Sequence, residues 1–545
     1  MKSLADTTVL VLGLGASGLA IAQWCARGGA SVRAWDSRLG TPQSPPQAET
    51  LAASVPQATL IVGALDAAAA LEGVQRVFKS PGLAPHDPRI APLLAAAAAR
   101  GIAIEGELDL FAQALATLRE ERGYAPRVLA VTGTNGKTTT TAMTALLVER
   151  AGLRVATAGN IGPTMLETLT RALDTAPATT ATAVDADADA DADADTAPAA
   201  HAALPEVWVV ELSSFQLHGM HGFEPDAAAL LNLSEDHLDW HGSMEAYAEA
   251  KARIFGAQAT VVLNRDDARV AALVASLSAP APKGARKTRA AKPAPRKTVS
   301  FGVGAPQRPG DFGIVVDGGM AWLARALEAD PTLRRRPGDA EAELHLQRLM
   351  PADALRVRGR HNAANALAAL ALATAIGCPL APMLHGLREY GGEPHRVAFV
   401  ASVNGVDAYD DSKGTNVGAT VAALEGLGAD RAPARLVIIL GGDGKGQDFA
   451  PLRAPLARHA RAVALIGRDA ELIETQAIAG SGVNSQRCET LEAATRWSFA
   501  QAQAGDAVLL SPACASLDMF RNYGHRAEVF VATVHELARD AGGAA

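Results

Sequence analysis

Residues 128–141, V-L-A-V-T-G-T-N-G-K-T-T-T-T, limit what this chain can fold into more than any other stretch. Residues 128–131 are apolar and partly β-branched, which predicts a buried strand. Residues 132–136 predict a tight loop. Beyond Thr138, the apolar positions Met143, Leu146 and Leu147 take helical spacing. Strand, glycine loop, lysine and helix together make a phosphate cradle. Glycines let backbone N–H groups approach phosphate oxygens, and a helix N-terminus adds partial positive charge. Gly133, Thr134, Asn135, Gly136, Lys137, Thr138 and Thr139 are therefore the first candidate ATP contacts. Lys137 would neutralise the β/γ-phosphates, and the Thr138 hydroxyl would face Mg²⁺. The usual loop, G-x-x-x-x-G-K-[ST], is longer than the one here, where only Thr134 and Asn135 separate the glycines. A Thr-rich turn before a helix is the plainer alternative.

The chain has 545 residues, enough for about three domains. Its net charge of −8 does not suggest a nucleic-acid binder. Its four cysteines are widely spaced without a C-x-x-C pair, which argues against a disulfide framework or a zinc site. Glycines interrupt the first apolar run, and no apolar run is long enough to span a bilayer. The expectation is a cytoplasmic protein with no membrane insertion.

In the N-terminal stretch, residues 8–12 predict a strand that runs into G-L-G-A-S-G at 13–18. A helix follows through Ala20, Ile21 and Trp24, and a second strand at 31–35 ends at Asp36. Alone, this arrangement predicts a dinucleotide site and a nicotinamide-dependent dehydrogenase. A dehydrogenase does not need the downstream phosphate loop, however, and Ser37-Arg38 offers an anion-binding pair. V-F-K-S-P-G at 77–82 predicts another strand, with Ser80 and Gly82 either in ordinary turn chemistry or at a ligand. Residues 107–122 predict a helix, and 123–126 a domain junction.

Asn160, in A-G-N-I-G, is either a loop cap or a substrate contact. Residues 207–210 predict a strand that delivers Glu211 to its carboxyl end, where open parallel sheets place ligands. Residues 230–233 lead into S-E-D-H-L-D, with His237 in the loop. Lys251 follows in E-A-K-A-R-I-F. Unaided, Lys251 reads as a solvated helix lysine and His237 as a structural histidine. The Asp-Ala repeat within about 172–205 has the period of a strand but no packing face, so it predicts a disordered acidic insertion. Residues 280–298 predict an extended basic insertion. Gly359 opens an alanine-rich helix in which Asn362 is a possible N-cap. G-G-E-P-H-R at 391–396 marks a second junction. Beyond it, β and α segments alternate, with Asp443 and Lys445 in a glycine loop that is an anion site or merely a turn.

The short loop G-T-N-G-K-T-T, E-L-S-S-F-Q-L, S-E-D-H-L-D, E-A-K-A-R-I-F, D-S-K-G-T-N, G-G-D-G-K and L-S-P-A-C-A-S-L-D together resemble the Mur ligase family. The resemblance covers nearly the whole chain outside the two insertions. It implies an α/β protein of three domains. Residues 1–123 would be Rossmann-like and bind the UDP part of a substrate, 124–391 would carry the P-loop and ATP, and 392–545 would be a Rossmann-like amino-acid domain. It also implies an ATP-dependent ligase that adds D-glutamate to UDP-N-acetylmuramoyl-L-alanine, acting as a monomer in peptidoglycan precursor synthesis. A folylpolyglutamate synthase-like ligase is the nearer alternative, the dehydrogenase the more distant.

By the same resemblance, Gly15, Ala16, Ser17, Asp36, Ser37, Arg38, Ser80, Gly82 and Asn160 would meet the UDP substrate. Asn362, His395, Arg396 and Asp411 would meet ATP. Lys413, Thr415, Lys445, Ser516 and Tyr523 would hold D-glutamate. Thr138 and Glu211 would hold one Mg²⁺, with His237 and a carbamylated Lys251 holding or orienting a second. Lys137, His237 and Lys251 would be the catalytic set. Gly414, Asp410 and Tyr523 stand where the family usually has Ala, Asn and Phe.

Overall fold

The computed structural model describes residues 4–175, 203–278, 296–330, 332, 343–357 and 359–542. The acidic repeat and nearly all of the basic tract lie outside the described residues. The described residues form four sheets. The first is parallel, with order β3-β2-β1-β4-β5, from β1 (Thr8–Leu12), β2 (Ser31–Trp35), β3 (Thr59–Ile61), β4 (Arg76–Lys79) and β5 (Ala103–Glu105). The glycine loop leaves the carboxyl end of the central strand β1 and enters the helix Ala16–Arg27. The loop is tight: Ser80 Oγ donates to the Gly13 carbonyl at 2.9 Å, and a Cβ on Gly18 would lie 1.8 Å from that same oxygen.

The second sheet holds β6 (Arg127–Thr132), β7 (Val155–Gly159), β8 (Val207–Glu211), β9 (Ala227–Leu230), β10 (Thr260–Asn264) and β11 (Thr298–Phe301). Its order is β11-β10-β9-β6-β8-β7, all parallel. Helices cover both faces, so β6, β8 and β9 read as continuous apolar runs. On one face the helix Lys137–Arg150 packs against the alanine-rich helix Arg360–Ala375, through Leu147, Val148, Ala366 and Leu370. Small side chains along the second helix let the two lie close. Asn362 sits in the first turn of that helix and Gly359 is its N-cap, so the capping role expected of Asn362 is not the one it has. β9 ends at Leu230, and just beyond it the Asn232 side chain bonds Asn135.

A three-stranded antiparallel sheet, β12 (Phe312–Asp317), β13 (Met320–Glu328) and β14 (Leu344–Pro351), was not foreseen from sequence. Gly318 and Gly319, at φ 58° and 80°, form the two-residue turn between its first strands. The last sheet has order β15-β16-β20-β17-β18-β19, from β15 (Ala398–Val403), β16 (Val406–Asp410), β17 (Leu436–Gly441), β18 (Ala460–Ile466), β19 (Asn484–Arg487) and β20 (Ala507–Leu510). Only β15 is antiparallel to its neighbour. The loops after β16, β17 and β20 therefore gather on one edge. An Asp443–Ala515 bridge joins the last two.

The Gly18 contact gives a direct test of the first loop. Gly18→Ala is expected to destabilise the protein by about 1–3 kcal/mol, the usual range for forcing a methyl into a filled site, read as a lowered midpoint in thermal melting.

Candidate functional site

The phosphate loop is braced from behind. Asn135 N–H donates to Asn232 Oδ1 at 2.8 Å, and Asn232 Nδ2 donates back to the Asn135 carbonyl at 3.0 Å. Thr134 N–H reaches the Asn232 carbonyl, and Thr134 Oγ1 lies 3.1 Å from the Tyr247 hydroxyl. Gly136 adopts φ 80°, and a Cβ there would sit 2.6 Å from Asn365 Oδ1. That position needs glycine on both counts.

Cations converge on this loop from both sides. Lys137 Nζ donates to the carbonyls of Gly133 at 2.8 Å and Thr134 at 2.7 Å. Lys251, 1 % exposed, donates to the same Gly133 carbonyl at 2.9 Å, and its Nζ lies 4.7 Å from the centre of the Tyr247 ring. Lys251 is thus a buried lysine and not a solvated one. Burial lowers the pKa of Lys137 and takes that of Lys251 well below the ordinary lysine value, each also lowered by nearby positive charge and raised by Glu211 and Asp236. From the last sheet's side, Arg396 Nη2 and Lys413 Nζ both donate to Thr138 Oγ1, at 3.1 and 3.4 Å.

Glu211 ends β8 beside β6, in register with Val131. Its Oε1 accepts from Asn160 Nδ2 at 2.7 Å, and its buried Oε2 has no partner. An orphaned carboxylate oxygen and the Thr138 hydroxyl beside a phosphate loop are hard oxygen donors of the kind Mg²⁺ takes. Among the described residues no three His, Cys, Asp or Glu side chains gather around a common point. His237 adopts φ 55°, and its ring meets Phe215 edge-on with centroids 4.6 Å apart. Burial lowers its pKa, against the pull of Asp236.

A cleft beside the loop is lined by Gly136, Thr139, His361, Asn362, Asn365, Arg396 and Asp411. Asn365 Nδ2 donates to Asn362 Oδ1 at 3.3 Å. Burial drives His361 down to about 4 and Asp411 up to about 7; a hydrogen bond from Ser511 and the Arg396 charge only partly offset the latter. Asp411 Oδ2 accepts from Ser511 Oγ at 2.7 Å. His395 Nδ1 lies 2.6 Å from Asp410 Oδ2.

Around Lys413, the Tyr523 ring centre lies 5.8 Å from Nζ, and the Tyr523 and His395 rings meet at 6.1 Å. Thr415 N–H bonds the Lys413 carbonyl, and Ser516 is buried on the neighbouring loop. Lys445 is exposed at φ 52°, with its N–H on Asp443 Oδ1, and its charge is felt at His237.

The N-terminal candidates form a separate group. Asp36 accepts from Leu14 N–H at 2.9 Å and pairs with Arg38 at 2.8 Å. Those bonds hold its carboxyl down to about 2, with the Arg38 side chain the largest cause. Its oxygens are occupied in bracing the loop, and Ser37 Oγ accepts from Arg89. Gly15 caps the helix that Ala16 opens, and a Cβ on either Gly15 or Gly82 would meet nothing within 4 Å. Glu107 is buried at the start of the helix Glu107–Arg122; its Oε1 accepts from Leu166 N–H at 3.0 Å and its Oε2 has no partner. Glu107 thereby ties that helix to the second sheet's domain. Sequence reasoning missed Glu107, Asn232, Tyr247, His361, Asn365 and Asn416. Asn416 ends the motif D-S-K-G-T-N, whereas Asn232 and Tyr247 act through Asn135 and Thr134, far along the chain.

Three family models match the chain: the Mur ligase MurD-like N-terminal domain over residues 7–106, the Mur ligase middle domain over 131–300, and the Mur ligase glutamate ligase domain over 395–514. A UDP-N-acetylmuramoylalanine--D-glutamate ligase of Albidiferax ferrireducens is 55% identical over 545 residues, covering 100% of this chain and 99% of that one. A ligase of the same name from Burkholderia mallei is 53% identical over 542 residues, covering 98% of each. Among solved structures, MurF ligase from Thermotoga maritima in complex with ADP superposes with a TM-score of 0.55 at 16% identity, covering 99% of this chain and 100% of that one. UDP-N-acetylmuramate-alanine ligase MurC from the same organism gives 0.54 at 18%, covering 97% and 99%. At such identity the two structures speak for the fold alone.

The raised pKa of Asp411 has a thermodynamic consequence. Between the ordinary 3.8 and about 7 the folded chain keeps a proton that the unfolded chain releases. Stability from this group is complete below that window and is lost as pH rises through it, by on the order of 1 kcal/mol per pH unit. Asp411→Asn is expected to flatten that slope relative to the wild type, measured by urea unfolding at several pH values inside the window.

Proposed function

Because the chain belongs to the Mur ligase family, we propose that it is an ATP-dependent ligase joining D-glutamate to UDP-N-acetylmuramoyl-L-alanine. The observation that carries the assignment of chemistry is the meeting at Thr138 of Arg396 and Lys413 from one sheet's domain with the phosphate loop of another. A carboxylate resists an amine because its carbon is electron-rich and oxide is a poor leaving group. The substrate carboxylate oxygen attacks the γ-phosphorus of ATP, the bond to the β-phosphate oxygen breaks, and an acyl phosphate and ADP result. The D-glutamate amine then attacks the acyl carbon, loses a proton, and expels phosphate through a tetrahedral intermediate. Lys137 and Arg396 neutralise the phosphoryl group in transit. Asn362, Asn365 and Asp411 line the cleft we assign to the nucleoside. His395 belongs to the same assignment, positioned by Asp410.

Mg²⁺ would be held by Thr138 and Glu211, with His237 and Lys251 toward a second ion. When bound, it supplies charge stabilisation to the phosphates. Lys251 cannot ligate as an ammonium, which has no lone pair, whereas its carbamate would offer hard oxygen donors. Burial favours its neutral amine, the form that adds to CO₂ and releases a proton. Asn160 orients Glu211 in this reading. Gly15, Ala16 and Ser17 offer a helix N-terminus to the diphosphate. Asp36, Ser37, Arg38, Ser80 and Gly82 shape that side of the site. Because Asp36 already holds Leu14 N–H and Arg38, it is poorly placed to take a ribose diol as a dehydrogenase requires. We assign residues 1–123, 124–391 and 392–545 to the UDP-substrate, ATP and amino-acid domains, working as a cytoplasmic monomer. Among the described residues no helix is long and apolar enough to cross a membrane.

D-Glutamate carries two carboxylates besides its amine, and Lys413 and Lys445, with Thr415, Ser516 and Tyr523, are assigned to them. The deciding measurement is ADP release against a panel of UDP-muramoyl substrates and amino acids. Turnover is expected with D-glutamate and little with L-glutamate. Equal use of both, or turnover with folate and L-glutamate, would sink the assignment. Lys137→Ala is expected to lower kcat by about a hundredfold or more while the fold survives. Lys413→Ala and Lys445→Ala are each expected to raise the KM for D-glutamate by about tenfold, well beyond any change in ATP affinity measured by calorimetry.

A further inference from the structure

The phosphate loop and the last domain touch through an interaction that the chemistry above does not use. Asn416 is the N-cap of the helix Val417–Arg431, and its Oδ1 accepts from Ala419 N–H at 2.9 Å. The same side chain faces Asn135, at the tip of the phosphate loop. Asn135 Nδ2 donates to Asn416 Oδ1 at 3.2 Å, and Asn416 Nδ2 donates to Asn135 Oδ1 at 3.0 Å. Two amides so paired satisfy each other's donor and acceptor at once. Asn416 is buried, so the pair is largely screened from competing water.

A second feature is built around this contact. Gly418, in the first turn of the same helix, lies where a Cβ would come 3.1 Å from Asn135 Nδ2 and 3.2 Å from Ser234 Oγ. Its φ does not demand glycine, and inside a helix glycine is normally unfavourable relative to alanine. What the position requires is close approach of the helix to the loop. Asn135 is also held from the other side, through Asn232. The loop tip is thus clamped between its own domain and the last one.

We propose that Asn416 is a positioning residue for the ligation, which with Gly418 forms a latch that fixes the phosphate loop only when the last domain is docked on it. The latch makes the geometry around the transferring phosphoryl group depend on docking of the domain assigned to the amine. It rests on the ligase reading for its kinetic consequence and on geometry alone for its structural one.

Asn416→Ser separates the two roles of the side chain. Serine caps a helix about as well as asparagine, but it is too short to reach Asn135. Gly418→Ala should favour the helix while wedging a methyl against the loop. Both variants are expected to stay folded, read as a cooperative thermal melt. Both are expected to lose about tenfold in kcat, the effect of one to two hydrogen bonds, with the KM for UDP-N-acetylmuramoyl-L-alanine unchanged. Small-angle X-ray scattering with Mg²⁺ and a non-hydrolysable ATP analogue should show a larger radius of gyration for the variants than for the wild type. A kcat within about twofold of wild type, a kcat loss with unchanged radius of gyration, or an equal rise in the KM for the UDP substrate would each overturn the latch. Wild-type protein that ligates none of these substrates overturns the ligase reading instead, and the scattering comparison then decides the latch by itself.

Discussion

Three cationic side chains, Lys137, Arg396 and Lys413, crowd one glycine loop, and the buried Lys251 amine shares the Gly133 carbonyl with Lys137. Like charges buried together repel, and burial alone already disfavours each charged form. Glu211 and Asp236 offset part of this. The remainder creates a site whose electrostatics improve when a polyanion enters. Donors fixed in advance need little reorganisation when phosphoryl charge moves. Much of the surrounding architecture serves to hold those donors in place: Asn232 and Tyr247 behind the loop, Asn160 on Glu211, and the last sheet's loops in front.

Close approach is the second constraint. Gly136 leaves room for Asn365, Gly418 for Asn135, and Gly414 for Asp411, where a Cβ would lie 2.6 Å from Oδ2. The chain's many alanines have the same consequence in the helix Arg360–Ala375, which lies flat against the helix that opens at Lys137. Larger side chains would bury more apolar area but hold the two helices beside the cleft farther apart. Few aromatics and many small residues are in this sense part of the site.

Much of this was legible along the chain. The strands at 8–12 and 31–35, the helix at 107–122 and the phosphate loop each announce themselves within a dozen residues, because period and turn chemistry are local signals. Position at a strand's carboxyl end sufficed to single out Glu211. Other residues were not legible, because their meaning depends on partners far away in sequence. Lys251 has the local setting of a surface helix lysine, and only folding buries it under the loop. Asp36 has the spacing of a ribose ligand, and only the structure shows its oxygens committed to Leu14 and Arg38. Asn362 looked like a cap because Asn often caps, yet Gly359 supplies the cap. The antiparallel sheet at 312–351 was missed although Gly318-Gly319 marks its first turn, because its strands are half-exposed and alternate weakly.

These constraints bear on why the chain is divided into units. A phosphate loop able to pass a γ-phosphoryl group to a substrate carboxylate is also able to pass it to water. Placing the cations Arg396 and Lys413 on a different sheet from Lys137 makes full charge neutralisation conditional on docking. The Asn135–Asn416 pair and the glycine beside it then make loop geometry conditional on the same event. Hydrolysis and ligation both transfer the γ-phosphoryl group and differ in its acceptor, so the separation between them has to come from what is present when that transfer occurs. In this fold, the loop that carries Lys413 also carries Thr415, and the neighbouring loops after β17 and β20 carry Lys445 and Ser516. A cation that completes the phosphate site and the side chains assigned to the amino acid therefore share one edge of one sheet.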